Sequence, residues 1–122
     1  MKIHKSAEDY LETILILQTE LGQVRSIDIV NQLGFSKPSV SIAMKKLREV
    51  NYITVDHEGY IELTPNGLEI ANQVYNKHKI LTDFFIRIGV TKKQASEDAC
   101  KIEHDLSEET FEKLKLYILN SN

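Results

Sequence analysis

Toward the C-terminal end of the chain, Cys100-x-x-Glu103-His104 sets the only cysteine, a carboxylate and an imidazole at i, i+3 and i+4. On one helix, at roughly 100° per residue, the three side chains point within about 100° of one another. Thiolate, carboxylate and imidazole together make a mixed donor set that suits a borderline divalent transition metal: Fe(II), Mn(II), Co(II) or Zn(II). Two other stretches carry donors of the same kind, Asp9-x-x-Glu12 at helical spacing and His78 inside another helical run. Each donor also has an ordinary explanation. Asp9 can complete a capping box with Ser6, Glu12 and His78 can be solvated, and a lone cysteine is more often a small buried hydrophobe than a ligand. What turns Cys100 toward coordination is that its neighbours at i+3 and i+4 are both ligand types.

The 122 residues, 42% of them hydrophobic, are enough for one compact domain with a core, or for one with an extension. No stretch is long and apolar enough to span a bilayer and no signal-peptide architecture opens the sequence, so a cytoplasmic protein without a membrane partner is expected. One cysteine forms no internal disulfide. A net charge of −3 taken alone argues against nucleic acid, but the charge is segregated. Lys37, Lys45, Lys46 and Arg48 share one window, whereas Glu97, Asp98, Glu103, Asp105, Glu108, Glu109 and Glu112 crowd the C-terminal third. That distribution suits a basic working face and an acidic site that a cation neutralises.

The elements that must position these groups follow from periodicity and punctuation. Ser6-Ala7-Glu8-Asp9 reads as a capping box opening a first helix over about 7 to 21, which Gly22 stops. Ser26 caps a short second helix, Ile27 to Leu33, and Gly34 ends it. Ser36 caps a third, with Pro38 in its first turn and Val40, Met44 and Leu47 as the buried stripe. Tyr52-Ile53-Thr54-Val55 and Tyr60-Ile61-Glu62-Leu63 read as a hairpin around Asp56 to Gly59. Thr64-Pro65 opens a long helix to about Ile88, Thr91-Lys92-Lys93-Gln94 is a capping box for the next, and Ser107 caps a last helix over about 108 to 119.

The predicted fold class is therefore mostly α: a winged helix-turn-helix followed by a helical region. In that plan the second helix lies across phosphates and the third enters the major groove with its N-terminal residues near base edges. Ser26, Ser36, Lys37, Pro38, Ser39, Ser41, Lys45 and Lys46 form the candidate DNA-binding set, the lysines serving phosphates and the small residues allowing close approach. The wing tip, Asp56-His57-Glu58, is acidic where a basic residue would help, so any wing contact is expected from its edge.

With these residues in view, the chain resembles the diphtheria toxin repressor family and, within it, the short manganese transport regulators. The likeness is carried by Glu8-Asp9-Tyr10-Leu11-Glu12, Ser36-Lys37-Pro38-Ser39-Val40-Ser41, Leu63-Thr64-Pro65-Asn66-Gly67, Lys77-His78-Lys79-Ile80-Leu81 and the run from Cys100 to Ser107. It implies a homodimeric, divalent-metal-activated regulator of a double-stranded DNA operator, usually a repressor of metal uptake. It also implies a DNA-binding domain over 1–64 and a helical dimerisation and metal-sensing domain over 65–122. Asp9, Glu12, His78, Glu103 and His104 match the manganese regulators' ligand positions. Cys100 stands where those regulators have a glutamate and the iron-type members a cysteine, and Asp9 where iron-type members have a methionine. The metal site implied is thus a hybrid, taking Fe(II) or Mn(II), with Zn(II) or Co(II) binding in vitro. Thr82 and Ser96 occupy positions of ancillary ligands in iron-type members, which speaks against a second site of that type. The chain's end at Asn122 implies the short form without an SH3-like domain. Two other readings compete: a metal-independent winged-helix regulator sensing a small organic ligand, and a metalloenzyme with Glu103 as base. Nothing resembles a substrate-pocket motif, so no enzyme is expected.

Overall fold

A computed structural model describes residues 5–120, with side chains from Ser6 onward; the outermost residues of the two expected domains lie outside the described residues. The order is α1 (Lys5–Leu21), α2 (Ser26–Leu33), α3 (Lys37–Glu49), β1 (Ile53–Val55), β2 (Ile61–Leu63), α4 (Pro65–Arg87), α5 (Lys92–Ile102) and α6 (Glu108–Asn120). The chain divides into two compact units, one running through Asn72 and the other beginning at Gln73, so that α4 contributes to both.

The first unit is a winged helix-turn-helix. Tyr10, Leu11, Ile14 and Leu17 of α1, Ile29 of α2, and Val40, Met44 and Leu47 of α3 form one core with Val24, Ile53, Ile61 and Ala71. The tight turn between α2 and α3 is set by Gly34, whose φ of 73° lies in the left-handed region and whose N–H donates to Val30 O. Phe35 in that turn meets the Tyr10 ring edge-on at 6.0 Å, tying the turn to α1. Ser36 caps α3 as expected, its Oγ accepting the Ser39 N–H at 3.2 Å, and Pro38 sits in the first turn where no N–H is needed.

Two expected caps are displaced and one expected capping box is incomplete. The first helix already includes Lys5, so Ser6 lies inside it and is not its N-cap; lysine, alanine and glutamate are good helix formers. Ser26 is the first residue of α2 and not its cap, because the preceding Arg25 is the N-cap and its N–H donates to the Asp28 carboxylate at 2.9 Å. Thr91 does cap α5, accepting from Gln94 N–H, but the Gln94 side chain donates to Asp98 Oδ1 at 2.9 Å, its neighbour one turn on, and does not return to complete a box.

The wing is the antiparallel pair β1 and β2, in the register Ile53↔Leu63, Thr54↔Glu62 and Val55↔Ile61, with Ile53 and Ile61 turned into the core. Ile61 N–H also donates to Val24 O at 2.7 Å, so the segment before α2 pairs with the outer edge of β2, a connection that local periodicity does not announce. Asp56 explains the acidic tip: its Oδ1 accepts from both Glu58 and Tyr60 N–H at 2.9 Å, which folds the turn that Gly59 closes at a φ of 88°.

The passage from wing to α4 is close-packed. Thr64 Oγ1 accepts from Gly67 N–H and donates to Asn51 O, and a Cβ at Gly67 would run into the carbonyl oxygen of Tyr52. In the second unit, Val74, Leu81, Ala95, Ala99, Phe111 and Ile118 are the buried apolar side chains. Lys77 on α4 lies over the Phe111 ring and pairs with Glu108 at 3.5 Å, and Arg87 donates to Ile118 O at 3.3 Å, so α6 is held along α4 at two places. Gly67→Ala should destabilise the first unit by about 1–3 kcal/mol through backbone overpacking, read as a lower midpoint in urea; an unchanged midpoint would show that the Tyr52 carbonyl has room to yield.

Candidate metal centre and DNA-binding face

The second unit gathers three of the expected donors around one carboxylate. Glu103 is 2% exposed, and its two oxygens face different imidazoles: Oε2 lies 2.9 Å from His78 Nδ1 and Oε1 lies 3.3 Å from His104 Nε2. The His104 side chain is itself 2% exposed and that of His78 21%. A buried carboxylate is costly unless compensated. Here Oε2 has a hydrogen bond with His78 Nδ1, whose donor or acceptor role depends on the tautomer, while Oε1 is buried without a hydrogen-bond partner among the described residues although His104 Nε2 lies 3.3 Å away.

Cys100 is exposed, one turn before Glu103. The expectation that Cys100, Glu103 and His104 share one helix needs correction. The fifth helix ends at Ile102, and Glu103 is its C-cap, still right-handed at φ −60° and ψ −29° with its N–H donating to Ala99 O; His104 lies in the following turn. The helical offset of Cys100 and Glu103 survives, whereas His104 is carried by the turn. The helix stops there because the chain has to reverse: Asp105 and Leu106 N–H both bond back to Ile102 O, and Ser107 then caps α6 by accepting from Thr110 N–H at 3.1 Å.

Asp9 and Glu12 belong to the first unit, three residues apart on α1 and therefore on one face of it. Asp9 is half-buried and Glu12 only 7% exposed, an unusual degree of burial for a glutamate. The six expected metal donors are thus divided between the units, two on α1 and four on α4, α5 and the turn beyond. By residue type the donors are two imidazoles, three carboxylates and a thiol, and Glu12 and Glu103 are each buried within their own unit.

Sequence reasoning named Ser96 only as an ancillary position. The structure puts its Oγ 3.4 Å from His78 Nε2, on the nitrogen that does not face Glu103. Helical spacing places Ser96 about two turns before Glu103 on the same face of the chain, which is the signal that could have found it.

On the first unit, Ser36, Lys37, Pro38, Ser39, Ser41, Lys45, Lys46 and Arg48 are all exposed along α3, while Ser26 is half-buried at the start of α2. The Ser36 hydroxyl is engaged locally, accepting from Ser39 N–H and donating to Ser39 Oγ at 2.9 Å, so it orders the helix start. Arg25, absent from the expected DNA-binding set, is exposed at the N-cap of α2 with its guanidinium 4.4 Å from the centre of the Tyr60 ring at the wing. It places a guanidinium beside the wing.

Comparison with known proteins covers the chain from end to end. Residues 2–63 match the family described as the iron dependent repressor, N-terminal DNA binding domain, and residues 64–121 match the iron dependent repressor, metal binding and dimerisation domain. An uncharacterised HTH-type transcriptional regulator of Methanocaldococcus jannaschii is 34% identical over 116 residues, covering 93% of each chain. The transcriptional regulator MntR of Salmonella typhimurium is 33% identical over 105 residues, covering 86% of this chain and 67% of that one. Among solved structures, the manganese regulator SloR superposes with a TM-score of 0.81 at 27% identity, over 93% of this chain and 53% of that one. The chain spans about half the length of the IdeR structure from T. acidophilum and of SloR, 51% and 53%.

Proposed function

The chain belongs to the iron-dependent repressor family, whose members are DNA-binding transcriptional regulators and not enzymes, and on that premise we propose that it is a homodimeric repressor switched by a divalent metal. The observation that carries the reading is the buried Glu103 carboxylate with an imidazole on each oxygen, in the segment matching the metal-binding domain. Asp9, Glu12, His78, Cys100, Glu103 and His104 are the proposed ligands, and the ion they hold supplies positive charge and fixed coordination angles. Cys100 favours Fe(II), Co(II) or Zn(II), while Asp9 and Glu12 favour Mn(II). We infer Fe(II) as the working metal, with Mn(II) the alternative that the name of the SloR relative supports. No helix among the described residues is long and apolar enough to cross a membrane, and the proposed place of action is the cytoplasm, where the operator is.

Without a cation, the carboxylates of Asp9, Glu12 and Glu103 and a partly ionised Cys100 would repel one another if held close. A divalent ion held by these groups would fix α1, and with it the recognition helix α3 of each protomer. Two such helices in a dimer reach successive major grooves when about 34 Å apart. Metal and DNA are then linked, each raising the affinity for the other by the same factor. The second protomer is proposed to cover the exposed apolar residues Ile86, Ile88, Leu116, Tyr117 and Leu119 at the ends of α4 and α6, which Arg87 and Ile118 bring together.

Glu103→Ala should leave far-UV circular dichroism unchanged and lower metal-stimulated operator binding at least tenfold; full stimulation by Fe(II) or Mn(II) in that variant would sink the proposal. Anaerobic titration of the metal-free chain should give stoichiometric binding that weakens in Cys100→Ala, more for Fe(II) than for Mn(II), and equal losses for both metals would remove the case for iron. Lys45→Ala and Lys46→Ala should each weaken DNA binding for any sequence and reduce the salt slope by about 1. A slope identical to the parent's would take these lysines off the phosphates.

A further inference from the structure

Within the second unit, His78 is held at both ring nitrogens. Nδ1 is 2.9 Å from Glu103 Oε2 and Nε2 is 3.4 Å from Ser96 Oγ. Both partners belong to α5 and its C-cap, about two turns apart on one face, so the imidazole bridges a carboxylate and a hydroxyl carried by the same helix. A metal-binding histidine coordinates through one nitrogen and almost always donates the N–H of the other to a protein acceptor, which sets the tautomer and the ring plane.

The two sides of this ring are chemically unequal. Glu103 is itself a strong ligand for a divalent ion, whereas a neutral serine hydroxyl is a poor one but a competent hydrogen-bond acceptor. One turn beyond His78 on the same face of α4, Thr82 supplies another neutral hydroxyl, its Oγ1 buried and without a hydrogen-bond partner among the described residues. We propose that Ser96 is a positioning residue of the metal centre: its Oγ accepts the Nε2–H of His78 and thereby presents Nδ1, beside Glu103, as the ligand nitrogen. The inference rests on the reading of His78 and Glu103 as ligands. It follows that His78 serves a single ion, because Nε2 is occupied by its bond to Ser96. A hydroxyl both donates and accepts, so Ser96 also fits the ring when Nδ1 carries the proton, and the ring keeps its place before metal arrives.

The test uses the full chain labelled with 15N, Zn(II) as a diamagnetic probe, and the variants S96A and S96T. In the Zn(II)-loaded parent, long-range proton–nitrogen correlation should show the His78 proton on Nε2, exchanging slowly with water. S96A should keep the parent's circular dichroism, lose the slow exchange and bind Zn(II) about 10- to 100-fold more weakly, and S96T, which restores a hydroxyl, should recover both. An S96A chain that binds Zn(II) as tightly as the parent, or a loaded parent with the proton on Nδ1, overturns the assignment while leaving the metal-centre reading intact. A parent chain that takes up no Zn(II) overturns the metal-centre reading and this inference with it.

Discussion

A glutamate side chain with no solvent contact is the constraint around which the second unit is arranged. Taking a carboxylate out of water is costly unless compensated; Glu103 has a hydrogen bond with His78 at Oε2, while Oε1, 3.3 Å from His104 Nε2, has no hydrogen-bond partner among the described residues. Meeting that requirement brings α4 to the end of α5, since His78 and Glu103 sit 25 residues apart in the chain. Two imidazole nitrogens and a buried carboxylate converge there, and under the proposed function a cation would bind among them.

The proposed close approach to a regular duplex sets the first unit a different constraint. Such a role asks for a third helix rigid at the N-terminal end and cationic along the outer face, and both are met locally. Ser36 and Pro38 order the helix start, while Lys37, Lys45, Lys46 and Arg48 stay exposed because Val40, Met44 and Leu47 occupy the inward stripe. The wing is braced at its base and not at its tip. Thr64, Gly67 and Asn51 lock the return into α4, Ile61 pairs with Val24, and Arg25 stacks on Tyr60. An acidic tip is then a consequence of turn chemistry, with Asp56 needed to accept two backbone N–H groups.

Helical spacing read along the chain found the elements of both units, because burial stripes and caps are local signals. Ser36 and Thr64 held the positions expected of them. Ser6 and Ser26 did not, since a cap competes with the helix-forming tendency of the residues before it and with other acceptors such as Asp28. His104 was misplaced onto the helix for a similar reason. The reversal at Ile102 is set by hydrogen bonds from Asp105 and Leu106 and by the start of α6, none of which is visible in the 100–104 spacing.

By itself, then, the sequence determined the order of elements, the exposed cationic face of α3 and the inventory of donors, since each depends on periods of two or 3.6 residues and on punctuation within a few positions. Only the tertiary structure decided that Glu103 is wholly buried, that its oxygens meet Nδ1 of one histidine and Nε2 of another, and that Ser96 faces the remaining nitrogen of His78. Those pairings join side chains from different helices. Their choice depends on how the helices pack, and local spacing sets the face a residue occupies without setting which atom it will meet.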